Sequence, residues 1–472
     1  MNILAQTRIV SSLHRYVTAA LSLASIAPAA AAGSAPARSP NFVFIIADDL
    51  GYGDIGCYGQ TEIKTPHIDR LARQGVRFTQ FYTGAPVCAP ARNTLLTGEH
   101  AGHALLRANG KIDLRPQDTT IAEILHDAAY VNGMAGKWGL GKETGPGSPA
   151  ARGFDHFFGY IDQTMAHNYY PTYLVRDQTR VPLRNVVPNP GPYDQGVATK
   201  KLDYSADLIA RDAVAFIEAH RDRPFALFFT PTLPHANDEA TPNGMEVPDY
   251  GPYADRPWPD TEKGFAAMVT RLDDEVGMIL AKLEALHLED ETVVIFTSDN
   301  GPHDEGGHDR NRFHSSGGFR GMKRDLYEGG IRVPLIVRWP GHTKAGTTSD
   351  YIGYFPDFMP TFAELAGVRT PVRDGISFVR AIEGRPGQTV HPYLYWEFYE
   401  RATAQAVRMG RWKVIRSPIA TGKVEVYDLE RDPAESHDVA ASHPDVIRQA
   451  IGYMQDAHVP SPLWNVPPAT AR

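Results

Sequence analysis

Cysteine, excess positive charge and long apolar runs are the features that this sequence lacks. With two cysteines among 472 residues, the fold cannot rest on a disulfide network, and nothing in the sequence pairs Cys57 with Cys88. The formal net charge of −8 gives no support for nucleic-acid binding, which normally needs a basic surface. Beyond the N-terminal segment, no stretch reaches the roughly 18 apolar residues that a membrane span requires. The sequence therefore predicts no nucleic-acid partner and no membrane span.

Residues 1–33 have the pattern of a secretory signal peptide. Arg8 and Arg15 precede an apolar, alanine-rich stretch, and small residues from Ala30 to Gly33 fit a cleavage site. The pattern predicts an exported protein, periplasmic or secreted, whose mature chain begins close to the end of this segment.

The rest of the chain alternates short apolar runs, typical of buried strands, with amphipathic stretches, typical of helices. The predicted strands are residues 41–47, 224–230, 292–298 and 333–339, and predicted helices begin at Asp118, Asp203 and Glu262. This alternation favours an α/β fold, with a large, mixed and mainly parallel sheet sandwiched by helices over residues 40–375. Aromatic, alternating segments then predict a smaller antiparallel sheet in an α+β subdomain (376–472), closed by a helix near 445–457.

Polar residues directly follow several of the predicted strands. In chain order they are Asp48, Asp49, Lys137, His235, Asp299 and Asn300. Sites in open α/β sheets form beyond the carboxyl ends of the strands, so we expect these side chains to converge.

Three of these residues are aspartates and one is an asparagine, so they offer only oxygen ligands. Oxygen ligands suit a hard cation such as Ca²⁺ or Mg²⁺, whereas zinc favours nitrogen and sulfur. Each pair alone has a simpler explanation, because two aspartates after a strand often cap a helix and Asn300-Gly301 is a common turn sequence. Their occurrence at two strand ends is what supports the cation hypothesis.

The segment APVCAPAR places Cys88 two residues before Pro90, a residue typical of the first turn of a helix. The free N–H groups of a helix N-terminus favour an anion, and Arg92 adds a positive charge nearby. These surroundings would lower the pKa of the Cys88 thiol. A soft thiolate beside a hard cation makes little chemical sense, however, so a working thiol is not the favoured interpretation.

Five segments together resemble the motifs of the type I sulfatases, the formylglycine-dependent members of the alkaline phosphatase superfamily. They are ADDLGYGDIGCYG (47–59), CAPAR with the following LLTG, GKWGLG (136–141), TSDNGPH (297–303) and GMKRDLYEGGIRVPLIVRWPG (321–341). Matches in the family's order cover roughly residues 40–400, most of the mature chain.

The resemblance implies that Cys88 is a precursor. A formylglycine-generating or sulfatase-maturing enzyme would oxidise it to formylglycine, whose hydrate attacks the sulfur of a sulfate ester in this family. The expected activity is thus that of a sulfuric ester hydrolase, and export makes a sulfated carbohydrate the expected substrate.

The resemblance also implies roles for the converging residues. The implied calcium ligands are Asp48, Asp49, Asp299 and Asn300, completed by the modified Cys88. The implied contacts to the aldehyde hydrate and the sulfate oxygens are Arg92, Lys137, His235 and Lys323.

The chain departs from the family pattern at two positions. Ala91 stands where many relatives carry serine, and Gly139 stands where many carry a histidine that helps to deprotonate the formylglycine hydroxyl. His167 and His303 are the candidates to take over this proton transfer or to contact the leaving sugar.

Two alternative functions remain open at this point. One is hydrolysis of phosphonate or phosphate esters within the same superfamily, although Asn300 stands where a two-zinc phosphatase would need histidine. The other is a non-catalytic, calcium-dependent glycan-binding protein, which would result if Cys88 were not converted.

Overall fold

The structure is a computed structural model that describes residues 39–400, 403–420 and 422–465. The predicted signal peptide, residues 1–33, lies outside the described residues. Over the described part the strands are β1 (Asn41–Ala47), β2 (Val76–Phe78), β3 (Phe81–Tyr82), β4 (Val131–Lys137), β5 (His156–Tyr160), β6 (Tyr173–Arg176), β7 (Thr179–Pro182), β8 (Phe225–Thr230), β9 (Thr292–Ser298), β10 (Leu335–Arg338), β11 (Thr347–Ser349), β12 (Gly353–Tyr354), β13 (Leu394–Phe398), β14 (Ala404–Met409), β15 (Trp412–Ser417) and β16 (Lys423–Asp428). The α-helices are α1 (Pro66–Gln74), α2 (Cys88–Thr97), α3 (Ile121–Asp127), α4 (Ser205–Ala219), α5 (Asp260–Ala285), α6 (Glu328–Ile331), α7 (Phe358–Ala366), α8 (Val379–Ile382) and α9 (Pro444–Ala457).

A ten-stranded mixed sheet forms the centre of the fold, in the order β11-β2-β10-β9-β1-β8-β4-β5-β6-β7. The five central strands, from β9 to β5, run parallel to one another. Antiparallel pairs lie towards both edges, at β10 on one side and at β6 and β7 on the other. The predicted mixed and mainly parallel sheet is thereby confirmed.

Helices cover both faces of the sheet, which is why β1 is apolar from Phe42 to Ala47 rather than alternating. Val43 and Ile45 belong to the core that includes residues of α1, α4 and α5, whereas Phe42 and Phe44 belong to the core that includes residues of α2, α3 and α7. All of these side chains are buried.

The predicted C-terminal antiparallel sheet is also confirmed, as β13-β14-β15-β16. One face of this sheet, which includes Trp396 and Ile415, shares a core with Tyr82, Val87 and Cys88 at the start of α2. The opposite face packs against α9. The small sheet therefore supports the segment that carries Cys88. The proposed domain boundary near residue 375 stays a prediction.

Several local predictions can be compared with the structure. β1 and β9 have the predicted bounds, but helix α3 does not start with Asp118 as its N-cap. Its N-cap is Thr120, which forms a reciprocal capping box with Glu123. Within the described residues no helix has both the length and the apolarity to cross a membrane. Cys57 and Cys88 are both free thiols.

Candidate active site

Four neighbouring parallel strands, β9, β1, β8 and β4, end at the same edge of the sheet. Ala47 of β1 lies opposite Ser298 of β9, so the polar pairs that follow the two strands are neighbours. The backbone N–H of Asp49 donates to Oδ1 of Asp299 at 3.1 Å. Asp49 has a left-handed backbone (φ 66°), a conformation that few residue types other than glycine tolerate. The predicted convergence of the strand ends is therefore present.

The acidic group has the chemistry of a cation site. Asp48, Asp49, Asp299 and Asn300 are all buried. Nδ2 of Asn300 donates to Oδ1 of Asp49 at 2.7 Å, whereas the buried Oδ1 of Asn300 has no hydrogen-bond partner. A buried carbonyl oxygen without a donor costs free energy, so the residues fit a cation there.

The predicted set of metal ligands differs in one detail from the cluster of potential ligand atoms around Cys88. Potential ligand atoms of Asp48, Asp49, Cys88 and His235 lie within 4.8 Å of one another. The oxygens of Asp299 instead accept hydrogen bonds from the Asp49 N–H and from Arg92. The assignment of Asp299 as a metal ligand stays a prediction.

Cys88 is the first residue of helix α2 and is 1% exposed. Its Sγ lies 3.3 Å from Oδ1 of Asp48 and 4.0 Å from Oδ1 of Asp49. An oxygen atom on the same Cβ would therefore stand among the oxygens of the acidic group.

Arg92 and Lys137 lie on one side of this group. Arg92 donates to Oδ2 of Asp299 through Nε at 3.2 Å and through a terminal nitrogen at 2.9 Å, and also to the carbonyl oxygen of Lys137 at 3.0 Å. Nζ of Lys137, which is buried, donates to Oδ2 of Asp48 at 2.7 Å. Both cations are thus held where an oxyanion beside Cys88 would meet them.

Lys323 and His235 lie on the other side. Nζ of Lys323 donates to Oδ2 of Asp49 at 2.8 Å and forms an ion pair with Glu305. Lys323 is buried, although the sequence around it, FRGMKR, is basic. Glu305 was not predicted from the sequence, because nothing marks one carboxylate in a glycine-rich loop as the partner of a lysine 18 residues later.

The charged neighbours in the site determine the direction in which the pKa values of its carboxylates are shifted. Burial alone would raise the pKa values of Asp48 and Asp49, but Lys137 and Lys323 respectively hold them below their ordinary values. Burial and the charge of Asp48 raise the pKa of Asp299. Three carboxylates this close together cannot all ionise at low cost without further positive charge, which is what a bound cation would add.

The sequence-based expectation for the Cys88 thiol is wrong. Burial, and then the negative charge of Asp48, raise the pKa of this thiol well above its ordinary value. The helix N-terminus and Arg92 do not compensate, because Arg92 is directed towards Asp299. Cys88 is therefore poorly suited to act as a thiolate nucleophile.

The hydrogen bonds of His235 fix its neutral form. Its Nδ1 lies 2.6 Å from the carbonyl oxygen of Ala236, which can only accept, so Nδ1 carries the proton. Nε2 lies 3.2 Å from Nζ of Lys323 and accepts from it. Burial and the charge of Lys323 lower the pKa of His235 to about 3, in keeping with a neutral imidazole.

Both further candidate histidines lie beside His235, but in different environments. The ring of His167 stacks on His235, with centroids 4.7 Å apart, and His167 lines the cavity that contains Cys88. His303 is buried on another side, with Nε2 3.3 Å from the carbonyl oxygen of Pro234 and with Nδ1 accepting from the N–H of Glu305. The structure thus brings His167, and not His303, to the cavity.

The catalytic cavity, as we call it, has a volume of about 240 Å³ and is lined by Cys88, Asn109, Lys111, Gln163, His167, His235, Asp238, Lys323 and Arg324, among others. Gly139 has a left-handed backbone (φ 72°), and a Cβ there would lie 2.6 Å from Oε1 of Gln163. The space next to residue 139 is therefore occupied by Gln163. Gln163 and Asn109 were not predicted from the sequence, because both lie in loops without a recognisable motif.

Comparison with known proteins agrees with this geometry. The sulfatase family model matches residues 40–368, and the model of the C-terminal region of N-sulphoglucosamine sulphohydrolase matches residues 318–452. The alignment with arylsulfatase A of Homo sapiens is 478 positions long, gaps included, and 33% identical. It covers 90% of this chain and 89% of that protein. N-acetylgalactosamine-6-O-sulfatase of Bacteroides thetaiotaomicron is 30% identical, covering 87% of this chain and 92% of that protein.

Solved structures share the fold. The crystal structure of Ps i-CgsB superposes with a TM-score of 0.75 at 25% identity, covering 89% of this chain and 92% of that chain. A Bacteroides thetaiotaomicron structure from work on the metabolism of multiple glycosaminoglycans has a TM-score of 0.72 at 26% identity, covering 89% and 99%. With its motifs in order, its strand ends converged and most of its length matched, this chain belongs to the sulfatase family and is a sulfuric ester hydrolase.

Proposed function

We propose that this sulfatase hydrolyses sulfate esters of carbohydrates, using formylglycine made from Cys88 at a calcium site. The observation that carries the proposal is the 3.3 Å distance between Sγ of Cys88 and Oδ1 of Asp48, inside a buried group of carboxylates flanked by cations. Once hydrated, formylglycine would supply an oxygen nucleophile for sulfur and a second hydroxyl whose deprotonation expels sulfate.

The metal assignment follows from the donor set. Asp48, Asp49, Asp299 and Asn300, with the modified residue 88, would hold Ca²⁺, and the unpartnered Oδ1 of Asn300 fits a ligand role. When bound, Ca²⁺ would act as a Lewis acid on the sulfate oxygens and lower the cost of deprotonating the attacking hydroxyl.

The cations of the site suit the charge of the sulfate group. Lys137 donates to Asp48, and Lys323 donates to Asp49. A sulfate bound between these two lysines would be contacted from two sides. Arg92 holds its guanidinium against Asp299 and would orient the hydroxyls of residue 88. Fixed charges of this kind stabilise a transition state because they need no reorganisation when negative charge develops.

Proton transfer to the leaving alcohol is best assigned to His167. His235 already donates from Nδ1 to a carbonyl oxygen and accepts at Nε2 from Lys323, so it has no proton directed towards the substrate. His167 lines the cavity, and its Nδ1 lies 3.6 Å from the carboxylate of Glu239 and 3.8 Å from that of Asp238. At this position the imidazole is within reach of a leaving group bound in the cavity, which is the first requirement for a general acid.

The substrate class rests on the relatives. N-acetylgalactosamine-6-O-sulfatase is named for a sulfated sugar, and Ps i-CgsB has been crystallised with k-i-k-neocarrahexaose. The N-terminal pattern supports export, periplasmic or secreted, where sulfated polysaccharide fragments are met. Phosphonate ester hydrolysis and calcium-dependent glycan binding without catalysis are the two alternatives that the test must separate.

Intact-protein mass spectrometry joined to a sulfate-release assay tests the proposal. In a host with a maturing enzyme, we expect a loss of about 18 Da relative to the cysteine form, since thiol becomes aldehyde. Converted protein should release sulfate from sulfated saccharides, and Cys88→Ala protein should not. Conversion without sulfate release, but with phosphonate cleavage, would replace the proposal by the first alternative. An unconverted thiol in protein that still binds glycans would replace it by the second.

A further inference from the structure

A second cavity, of about 370 Å³, opens beside the catalytic cavity, and we call it the side cavity. Gly110, Lys111 and Gln163 line both cavities, so the two are adjacent at these residues. Gly139 contributes only backbone to the wall of the side cavity. A volume of this size lies within the range of small-molecule sites, about 300–1,000 Å³. A substrate larger than one sulfated ring would extend from Cys88 into this space.

The side cavity is lined by nearly equal numbers of positive and negative side chains, with a small negative excess. Its lining includes the cations Lys111, Lys142 and Arg180 and the carboxylates Asp113, Glu143, Asp162 and Asp194, which leaves one net negative charge. Lys111 is paired with Asp162, and Arg180 lies 2.9 Å from Glu143 and 3.8 Å from Asp194. Lys142 has no ion pair among the described residues, so a second anionic group on the substrate would meet this one cation, two cations that already have partners, and an excess of carboxylate.

The remaining lining suits the face of a sugar ring. Tyr173 and Tyr193 contribute aromatic rings, and Ile161, Met165 and Val175 contribute aliphatic surface. Tyr193 is 43% exposed, and Nζ of Lys111 lies 3.7 Å from the centroid of its ring, so a sugar would contact the exposed part of Tyr193 beside Lys111. A sugar ring combines apolar C–H faces with hydroxyl groups, so it can use both this apolar surface and the polar groups of the same wall.

We propose that the side cavity binds the sugar ring next to the sulfated one, and that this neighbouring ring is uncharged. The inference rests on the proposed function, because it takes the sulfated ring to lie in the catalytic cavity. The preferred substrates then carry a single sulfate at the site of cleavage, with neither sulfate nor carboxylate on the ring that follows.

A pair of disaccharides tests this selectivity. Both carry the same scissile sulfate, but the neighbouring ring is a hexose in one and a hexuronate in the other, and 4-nitrocatechol sulfate serves as a reporter without a second ring. For the converted enzyme, we expect kcat/KM for the hexose compound to exceed that for the hexuronate compound by about tenfold or more. A ratio of one, or a preference for the hexuronate, would overturn the inference.

Two variants locate the effect in the side cavity. Glu143→Gln removes one carboxylate and leaves Arg180 less fully paired, so the ratio should fall several-fold. Asp445→Asn, at the exposed start of α9, removes the same charge elsewhere and should leave the ratio unchanged. Tyr193→Ala should lower kcat/KM for both disaccharides and not for 4-nitrocatechol sulfate. Equal ratios for Glu143→Gln and Asp445→Asn would contradict the assignment to this cavity.

Calorimetry separates this inference from the proposed catalysis. The Cys88→Ala protein should bind the sulfated hexose disaccharide more tightly than the hexuronate compound, and Tyr193→Ala in that background should weaken this binding. If no substrate, including the aryl sulfate, is turned over by converted enzyme, the proposed function fails, and the calorimetric preference still decides the inference. Equal binding of both disaccharides would contradict the inference even if the reporter is cleaved.

Discussion

The imidazole of His167 stacks on that of His235, with ring centroids 4.7 Å apart and planes inclined by 18°. The two rings differ in their polar contacts. Both nitrogens of His235 are engaged by its protein neighbours, whereas the buried Nδ1 of His167 has no hydrogen-bond partner and faces Asp238 and Glu239 at longer distances. The stack therefore holds His167 beside these carboxylates, at the wall of the catalytic cavity.

Replacement of His167 should affect substrates according to their leaving group. If His167 protonates the leaving alcohol, His167→Gln should lower kcat on a sulfated sugar by about a hundredfold, the usual value of one general acid. An aryl sulfate needs less help, since a phenolate leaves more easily, and should lose much less. The measurement is kcat for both substrate types. Equal losses on both would show that His167 only positions its neighbours.

His303→Gln is the matched variant on another side of His235. Both nitrogens of His303 contact backbone groups, and its side chain is buried away from the catalytic cavity. We expect a lower free energy of unfolding, by about 1–3 kcal/mol for a buried group that loses its partner. The ratio of kcat on sugar and aryl sulfates should stay at the wild-type value. A shift of this ratio as large as that of His167→Gln would contradict the distinction between the two histidines.

Calcium should stabilise the protein as well as serve catalysis. Removal of the ion leaves the Oδ1 of Asn300 without a partner and takes a positive charge away from three buried carboxylates, so chelation should lower both Tm and sulfate release. At a free concentration one hundred times Kd, a ligand that binds only the folded state adds about 2.7 kcal/mol to the free energy of unfolding. Thermal unfolding with graded Ca²⁺ measures this dependence.

Asn300→Leu should remove most of that calcium dependence, because it deletes the unpartnered oxygen and keeps the branched shape of the side chain. Asn189→Leu, at an exposed position, makes the same chemical change away from the site and should leave the calcium dependence of Tm intact. A full calcium response in the Asn300→Leu protein would show that Asn300 is not a ligand.

The C-terminal sheet should influence the site through one hydrogen bond. Nε1 of Trp396 donates to the carbonyl oxygen of Thr83 at 2.8 Å, and the hydroxyl of Thr83 donates to the carbonyl oxygen of Asp299 at 2.6 Å. Trp396→Phe keeps an aromatic ring but leaves the Thr83 carbonyl without this donor, at a cost of about 1–3 kcal/mol. We expect a lower free energy of unfolding and a weaker calcium affinity, measured by denaturation and by titration.

Trp412→Phe provides the comparison for this prediction. Trp412, the first residue of β15, lies on the other face of the same sheet and packs against the core shared with α9. Its replacement should affect stability alone. A change in calcium affinity equal to that of Trp396→Phe would mean that the sheet acts through general destabilisation and not through Thr83.

The ends of the strands could be predicted because they depend on residues that are neighbours in the sequence. A run such as residues 42–47 is apolar at every position, as expected for a strand buried on both faces, and the polar residues after it then lie at the sheet edge. Parallel pairing then brings Asp49 and Asp299 together without further information. Most of the predicted site depends only on this argument.

The features that were missed depend on tertiary packing. The sequence showed that Cys88 lies at a helix N-terminus, which favours a low thiol pKa. It did not show the burial against Asp48, 40 residues away, which raises that pKa. The pairing of Lys323 with Glu305, and the difference between His167 and His303, are set by loops whose course has no short-range signal. Long-range charge and loop geometry are therefore what the sequence alone did not supply.

His100 is a buried imidazole outside the catalytic site, and its protonation should affect stability. Burial lowers its pKa to about 4, against the attraction of Asp374, and His103 and Glu397 are its other titratable neighbours. Because an unfolded histidine titrates near pH 6.5, the unfolded chain binds more protons between these values, and the free energy of unfolding falls with pH by about 2 kcal/mol between pH 7 and pH 5. His100→Asn, which keeps a hydrogen-bond acceptor, should remove this loss in chemical denaturation at the two pH values, and the same change at exposed His437 should not. An unchanged pH dependence in the His100→Asn protein would show that this imidazole is not the group responsible.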